Sequence, residues 1–440
     1  MARGKQRQPQ ALNLAASLAS PGASMTPEAS ASSTAELLSE PQIVERSWQP
    51  SRDGLGTRRD RQAFTFEAYV PRAIALAEPR LDASLVTAIS EAEQATRALN
   101  HEPPRAVSLE ALARQLLRAE AVASSRIEGL VVSHRRLARA FVAPKHDVAA
   151  EVVANVKAQE RAIELGASAS AFTLDTLIEI HETLFEGASA ERYAGLIREN
   201  QNWIGGAGAS PRGADFIPPP AEFVRPALDD LVEFINRDDL PPALQAAIAH
   251  GQFETIHPFW DGNGRVGRAL IHAILRRRGL TPHYVPPVSL VLAGEAQTYI
   301  KGLTSYRYGD PEDWYAIFAD ALATSSMRAR EFADRVAALQ EGWLEQAGNP
   351  RQGSGARKLI EALPAHPVID VNSVQGLIGA KSQESARQAI IRLEEADVLR
   401  PISAGRKRGR IWETVGLFDL LDSFEREVGV KERTPARSHS

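Results

Sequence analysis

The sequence predicts a mainly α-helical protein with a small β-hairpin set into the helical core and a separate helical module at its C-terminal end. Three observations predict it. Apolar residues recur at helical spacing in run after run between about residues 81 and 335. Two short apolar pieces flank a Gly/Ser/Pro loop near residue 210, which is the pattern of a hairpin. The polar run Gln346-Ala347-Gly348-Asn349-Pro350-Arg351-Gln352-Gly353-Ser354-Gly355 then divides this core from a last block with its own periodicity.

A chain of 440 residues, 44% hydrophobic, has room for two or three domains with real cores. Its net charge of −4 gives no overall attraction to nucleic acid or to a membrane. The chain has no cysteine, which excludes disulfides and thiolate metal sites and fits a cytoplasmic location. No apolar run approaches the roughly 20 residues of a membrane span.

Residues 1–40, rich in Ala, Ser, Pro and Gln, are expected to form a disordered tail, and residues 431–440 a second one. The basic start and the stretch after Ala11 imitate a signal peptide, but Asn13 and Ser17 interrupt its short apolar core. Residues 41–145 form an N-terminal helical region, with an extended lead-in from Trp48 to Tyr69 and helices at 81–100 and 108–124. The second helix ends in Ser124-Ser125-Arg126-Ile127-Glu128-Gly129, with Gly129 as its stop. On physics alone Glu128 is a solvated residue, slightly unfavourable so near a helix C-terminus.

Residues 146–335 form the main core. It opens with helices at 148–166 and 173–186, the second capped by Thr173. The hairpin candidate follows, with Trp203 and Ile204 on one arm and Phe216 and Ile217 on the other. An ordinary surface loop fits the same periodicity equally well. Helices at 241–256 and 269–275 flank a short polar loop, and the second ends on Arg276-Arg277-Arg278-Gly279, a basic last turn and a stop. Further helices at 294–303 and 314–318 close the core. After a linker at 336–355, residues 356–430 read as helices at 356–363, at 371–378 and from Ser382, with Ala386, Ala389, Ile390 and Leu393 on one face of the last. A basic loop, Gly405-Arg406-Lys407-Arg408-Gly409-Arg410, precedes Ile411-Trp412. Three helices and a basic hairpin suggest a winged helix-turn-helix. Gln383, Arg387 and Gln388 would face a major groove, and Arg406, Lys407, Arg408 and Arg410 would touch phosphates. Modules of this kind also serve as dimerisation or target-docking pieces.

The polar loop between the two buried helices carries the chemistry: His257-Pro258-Phe259-Trp260-Asp261-Gly262-Asn263-Gly264-Arg265-Val266-Gly267-Arg268. Pro258 disfavours helical geometry at His257, so the first helix stops there and presents an imidazole at its end. Gly262 and Gly264 bracket Asn263 and let backbone N–H groups turn inward at the start of the next helix, where anions bind. Arg265 and Arg268 lie three apart on one helical face, and two guanidinium forks there can reach one polyphosphate. Asp261 offers the carboxylate that a magnesium–phosphate complex takes. His257, with an ordinary pKa of roughly 6.5, suits a general base. Neither a P-loop nor a zincin pattern occurs in the chain.

This stretch resembles the signature of the Fic (filamentation induced by cAMP) family, His-Pro-Phe-x-Asp-Gly-Asn-Gly-Arg-x-x-Arg, at every specified position. The resemblance implies a Fic-type helical core with a hairpin flap, and a protein adenylyltransferase that moves AMP from ATP to a Ser, Thr or Tyr hydroxyl. It implies His257 as the base, Asp261 as the Mg²⁺ ligand, and Phe259, Trp260, Gly262, Asn263, Gly264, Arg265 and Arg268 around the ATP phosphates. Ser124, Glu128 and Gly129 match the family's inhibitory motif, Ser/Thr-x-x-x-Glu-Gly/Asn, whose glutamate pairs with the second signature arginine, here Arg268. Trp203, Ile204, Phe216 and Ile217 would form the flap that holds a target segment by strand addition. The family's Tyr-Tyr pair near the adenine is Tyr299-Ile300 here, a departure that leaves Tyr299 either as an adenine contact or as a core residue. The implied partners are ATP, a protein target including the chain itself, a homodimer and DNA through the C-terminal module, with no membrane. Two alternatives stand beside this reading: removal of AMP from a modified protein, and a nucleotide-sensing DNA-binding regulator.

Overall fold

The computed structural model describes residues 37–49, 57–101, 109–168, 171–186, 191–206, 209–402 and 410–429. Most of the two expected tails and the basic stretch 405–409 lie outside these residues.

The chain begins with a hairpin where only an extended lead-in is expected. Strands β1 (Gln42–Trp48) and β2 (Phe64–Val70) pair antiparallel, from Gln42 opposite Val70 to Trp48 opposite Phe64. β2 buries Phe66, Ala68 and Val70 with the alternation of a half-buried strand. Helices α1 (Ala83–His101), α2 (Leu109–Ile127), α3 (His134–Val142), α4 (Val148–Ser168) and α5 (Leu174–Phe185) follow. Thr173 caps α5 through a reciprocal box with Thr176, as the sequence predicts for its start. Next come α6 (Ala221–Ile235), α7 (Pro242–Ile256), α8 (Asn263–Arg277), α9 (Val288–Gly294), α10 (Ala296–Tyr308) and α11 (Pro311–Gln346).

α7 and α8 lie at the centre. Every residue from Ala243 to Ile256 and from Asn263 to Leu275 is buried. Small residues make this position reachable: Ala246, Ala247 and Ala249 leave room for α8, α10 and α11 to close over α7. The Trp314 indole donates to the Ala247 carbonyl at 2.8 Å. Each buried Leu, Ile or Phe here contributes about 1.5–3 kcal/mol relative to exposure. The loop between α7 and α8 is therefore held at both ends by the best-packed part of the molecule.

Two expected boundaries move. α11 runs unbroken to Gln346 and buries Val336, Gln340 and Trp343, so the core end at 335 and the start of the linker at 336 fall inside a helix. Helical spacing of these apolar residues against the last block sustains it. The C-terminal unit is α12 (Gly355–Ala362), β3 (Val368–Asp370), α13 (Val371–Leu377), α14 (Gln383–Glu395), β4 (Leu399–Pro401) and β5 (Ile411–Thr414), with the sheet ordered β3-β5-β4. Ala386, Ala389, Ile390 and Leu393 are buried on one face of α14, the face read from the sequence. A further helix, α15 (Leu417–Gly429), packs on α11 and α9, so this unit shares the main hydrophobic core instead of standing apart.

Candidate active site

α7 stops at His257, which adopts a left-handed conformation (φ 50°, ψ 59°) that side chains rarely take outside functional turns. Arg198 holds it there. Its guanidinium is 1% exposed and donates to the carbonyls of His257 (2.9 Å), Asn200 (3.0 Å), Pro219 (2.6 Å) and Ile256 (3.2 Å). A cation on the last carbonyls of a buried helix also matches the negative end of its dipole. Asn202 adds bonds to the carbonyls of His257 at 3.3 Å and Phe259 at 3.0 Å. Ile197 and Phe259 pair as an isolated antiparallel bridge. Arg198→Ala is expected to cost at least about 3 kcal/mol, because the carbonyls of Asn200, Pro219 and Ile256 lose this donor at once and that of His257 keeps only Asn202. A thermal midpoint within a degree or so of wild type would show that Arg198 is dispensable.

The loop's other residues divide between scaffold and site. The Asn263 side chain accepts from the Phe259 N–H at 2.9 Å and donates to its carbonyl at 2.8 Å. Asn263 therefore closes the loop, and its side chain is not turned to a phosphate. Phe259 is 1% exposed and stacks on His181 with ring centres 3.8 Å apart, so its ring belongs to the core and not to the phosphate site. His181 Nδ1 accepts from Gly195 N–H at 2.9 Å, which leaves Nε2–H to donate to the Asp261 carbonyl at 3.1 Å. Trp260 lines a groove of about 380 Å³ with Tyr193, Leu196 and Ile197. Gly262 holds φ 79° at the N-cap of α8, where a Cβ would lie 2.9 Å from both Leu184 and Phe185. Arg265, 6% exposed, sits 3.6 Å from Asp261 and over the Phe185 ring.

Asp261 presents a carboxylate whose side chain is 41% exposed, with Oδ1 fixed by the Gly262 N–H at 2.6 Å. A single half-exposed carboxylate at the mouth of an anion site fits Mg²⁺, which takes one or two protein carboxylates and draws its other ligands from phosphate and water.

α2 lies across α8 and its last turn covers this site. Glu120, Ser124 and Glu128, spaced i, i+4, i+8, face His272 and Arg268 on α8. Arg268 is 1% exposed and donates through Nε to Ser124 Oγ (2.9 Å) and through Nη2 to the Ser124 carbonyl (2.8 Å) and Glu128 Oε1 (2.8 Å). Burial would lower the Arg268 pKa, but the charge and hydrogen bond of Glu128, together with Tyr299 and Glu254, outweigh it and raise it. The Glu128 carboxylate also lies directly on the first turn of α8: a Cβ at Gly264 would collide with it. It sits where first-turn amides and the helix dipole favour negative charge. Gly129 takes φ 82° and ends the helix as expected. Buried Asn155 of α4 ties the Ser125 hydroxyl, and Arg126 pairs with Glu425 of α15, so the covering turn is held from both sides.

The flap is slighter than expected. Its arms meet at one bridge, Ile204 opposite Phe216, with Ile204 N–H donating to the Phe216 carbonyl at 2.9 Å. Trp203 is buried edge-on against Trp48 (5.7 Å), and Phe216 under the Arg307 guanidinium (3.9 Å). The Ile217 carbonyl accepts from Tyr69 N–H at 3.0 Å, so β2 already occupies the edge at Ile217. Tyr299 is 3% exposed and its hydroxyl lies 2.8 Å from His250 Nε2, which places its polar end inside the core. Of the expected DNA contacts, Arg406, Lys407 and Arg408 lie outside the described residues. Arg410 reaches Glu394 at 3.3 Å and stacks over Trp412. Gln383 donates to Asn372 at 3.0 Å, and Arg387 lies 4.0 Å from Glu384.

Sequence reasoning missed Arg198, Asn202, His181 and Glu254. The signal for Glu254 was present: a carboxylate in a helix with no polar face needs a reason.

A buried imidazole at a helix end and an arginine-bearing helix N-terminus that a carboxylate covers define a helical protein with a covered candidate site. Residues 171–275 match the Fic/DOC family and residues 86–164 the Fic/DOC family N-terminal region. It is 33% identical over 130 residues to protein adenylyltransferase fic-1 of Caenorhabditis elegans, covering 29% of this chain and 23% of that protein. It is 31% identical over 141 residues to protein adenylyltransferase Fic of Nematostella vectensis, covering 31% and 29%. The chain thus spans about a quarter of the length of these relatives. Among solved structures, a Fic family protein from Desulfovibrio desulfuricans G20 aligns with a TM-score of 0.47 at 18% identity, over 77% of this chain and 99% of that one. No helix among the described residues is long and apolar enough to cross a membrane.

Proposed function

We propose that the protein is a cytoplasmic adenylyltransferase that moves AMP from ATP to a hydroxyl of a protein, itself among the acceptors, and that Glu128 holds it in check. The observation that carries this reading is the set of groups around the first turn of α8. Arg265 and Arg268 belong to its first two turns, the Glu128 carboxylate lies on its first-turn amides, and the His257 imidazole stands across the loop at the end of α7.

With Glu128 withdrawn, the amides of Asn263, Gly264 and Arg265, which lack intrahelical acceptors, receive phosphate oxygens. Arg268, already desolvated and oriented by Ser124, takes the end of the triphosphate. Arg265 offsets the charge beside it. Asp261 would hold Mg²⁺, which would supply charge neutralisation to the phosphates. The target hydroxyl oxygen attacks the α-phosphorus and its proton passes to His257. The bond from the α-phosphorus to the bridging oxygen breaks, and pyrophosphate leaves. Positioning and fixed charge supply most of the rate enhancement in such transfers.

The C-terminal unit is a winged helix-turn-helix in this reading, supported by its order of helices and strands. The decisive experiment incubates purified wild type and Glu128→Gly with ATP labelled at the α- or the γ-phosphate. Label retained on protein from the α position alone supports AMP transfer. Retention from the γ position, or from neither, overturns it.

A further inference from the structure

The inference rests on the AMP-transfer reading of the same site. We propose that Glu254 is a positioning residue for the His257 base: it faces ring Nδ1, holds the tautomer that leaves Nε2 free for the target hydroxyl, and stabilises the imidazolium that forms.

Glu254 lies in the last turn of α7, three residues before His257. The turn at His257 brings the ring back beside it, with Glu254 Oε2 4.0 Å from Nδ1. Both residues are buried, Glu254 at 6% and His257 at 8% exposure. Neither His257 Nδ1 nor Glu254 Oε1 has a hydrogen-bond partner among the described residues. A carboxylate oxygen buried without a bonded partner is destabilising, because it has given up water for nothing. The cost is accounted for if the carboxylate becomes fully paired only when His257 carries a proton, and the step that protonates His257 is the transfer itself. An interaction made only in that state speeds the reaction instead of tightening binding. A third group that orients a histidine and stabilises its charged form without touching the substrate has the same role in hydrolase triads.

The charges around the pair come from every element packed on it. Arg268 of α8 and Arg307 of α10 face Glu254, as does Glu128 of α2, while Arg198 and Arg307 face His257. Tyr299 of α10 and His250 of α7 complete the enclosure. Burial pushes the Glu254 carboxyl up to about 7, with Arg268 opposing and Glu128 adding to the rise. Burial, Arg198 and Arg307 push His257 down to about 3, with the Glu254 backbone carbonyl opposing. The pair therefore holds one proton, on Glu254, below a midpoint of about 7 and none above it. Below the midpoint the pair already holds that proton and cannot take another. Above it the carboxylate is charged and His257 is neutral, so the pair can receive the proton of the target hydroxyl. Transfer should rise with pH through this midpoint.

The test uses the full chain with Glu128→Gly as the active parent, alone and combined with Glu254→Gln or Glu254→Asp, from about pH 5 to about pH 9. Glu254→Gln is expected to lower kcat about ten- to hundredfold, with the KM for ATP changed less than about twofold. It should also remove the acidic limb near neutrality, and Glu254→Asp should retain that limb. A purely structural role would move neither limb nor split kcat from KM. Histidine ring NMR gives a readout independent of turnover. In the parent, the His257 signal, assigned by its loss in His257→Ala, should sense a titration near neutrality that Glu254→Gln abolishes. Unchanged kcat and limb in Glu254→Gln, or a His257 ring in the parent that senses no such titration, overturns the proposal. A parent that transfers no AMP defeats the functional reading instead, and the ring titration still decides the role of Glu254.

Discussion

Glu128→Gly is expected to raise self-adenylylation about ten- to hundredfold over wild type, and the gain should vanish when Arg268→Ala is added. The size follows from the contact to be broken. Arg268 meets Glu128 through one oxygen, Oε1 at 2.8 Å, and not as a two-oxygen fork. A charged hydrogen bond of this kind is worth about 1.5–3 kcal/mol, which converts to roughly that range of rates. Two other bonds, to the Ser124 hydroxyl and carbonyl, remain in the variant and keep the guanidinium aimed at the phosphate position. Loss of the side chain also clears the first turn of α8, where the Glu128 carboxylate now lies against Gly264. The double variant should be nearly inactive, because the opened site has lost its clamp. Initial rates of the wild type, the two single variants and the double form a cycle that measures the coupling. If Glu128→Gly matches wild type, Glu128 is a passive residue at a helix end and the inhibitory role is wrong.

His257→Ala in the Glu128→Gly background is expected to reduce AMP transfer by about a hundred- to ten-thousandfold while ATP affinity stays within a few fold. The imidazole stands at the end of α7, whereas in the proposed mechanism the phosphates would be held by the first turn of α8, so the proposed base can be removed without dismantling that turn. The backbone needs a control. His257 has φ 50°, and alanine there carries a penalty of about 1 kcal/mol that glycine escapes. His257→Gly should therefore be at least as stable as His257→Ala and equally inactive. Calorimetric ATP binding and label transfer on both variants separate base loss from backbone strain. Near-parent transfer by either variant would remove His257 from the mechanism.

Most of the helical architecture was legible because its helices bury an unbroken stripe or all their faces. The runs at 81–100, 148–166 and 241–256 correspond to α1, α4 and α7 within a few residues. The hairpin β1–β2 was harder to read. Its strands are seven residues each and separated by fifteen more, so pairing depends on Trp48 meeting Trp203 and Tyr69 meeting Phe216, contacts that span more than a hundred residues. The boundary after α11 was misplaced for a related reason. Val336 and Trp343 continue the helix only because α15 and α12 supply apolar partners for it.

By itself the sequence determined where the chemistry lies. A histidine before proline, glycines at a helix start and two arginines three apart have few other uses in combination, and each acts through local backbone geometry. It also determined that Ser124 and Glu128 share a helical face. Only the tertiary structure decided what those groups meet. The crossing of α2 over α8 brings Glu128 to Arg268, 140 residues away, and packing alone assigns Asn263 and Phe259 to the scaffold. The same packing buries Glu254 beside His257 and Arg198 beneath it. Local pattern records which way a side chain leaves its own helix, whereas charge, desolvation and partner are set by whatever the rest of the fold places opposite it.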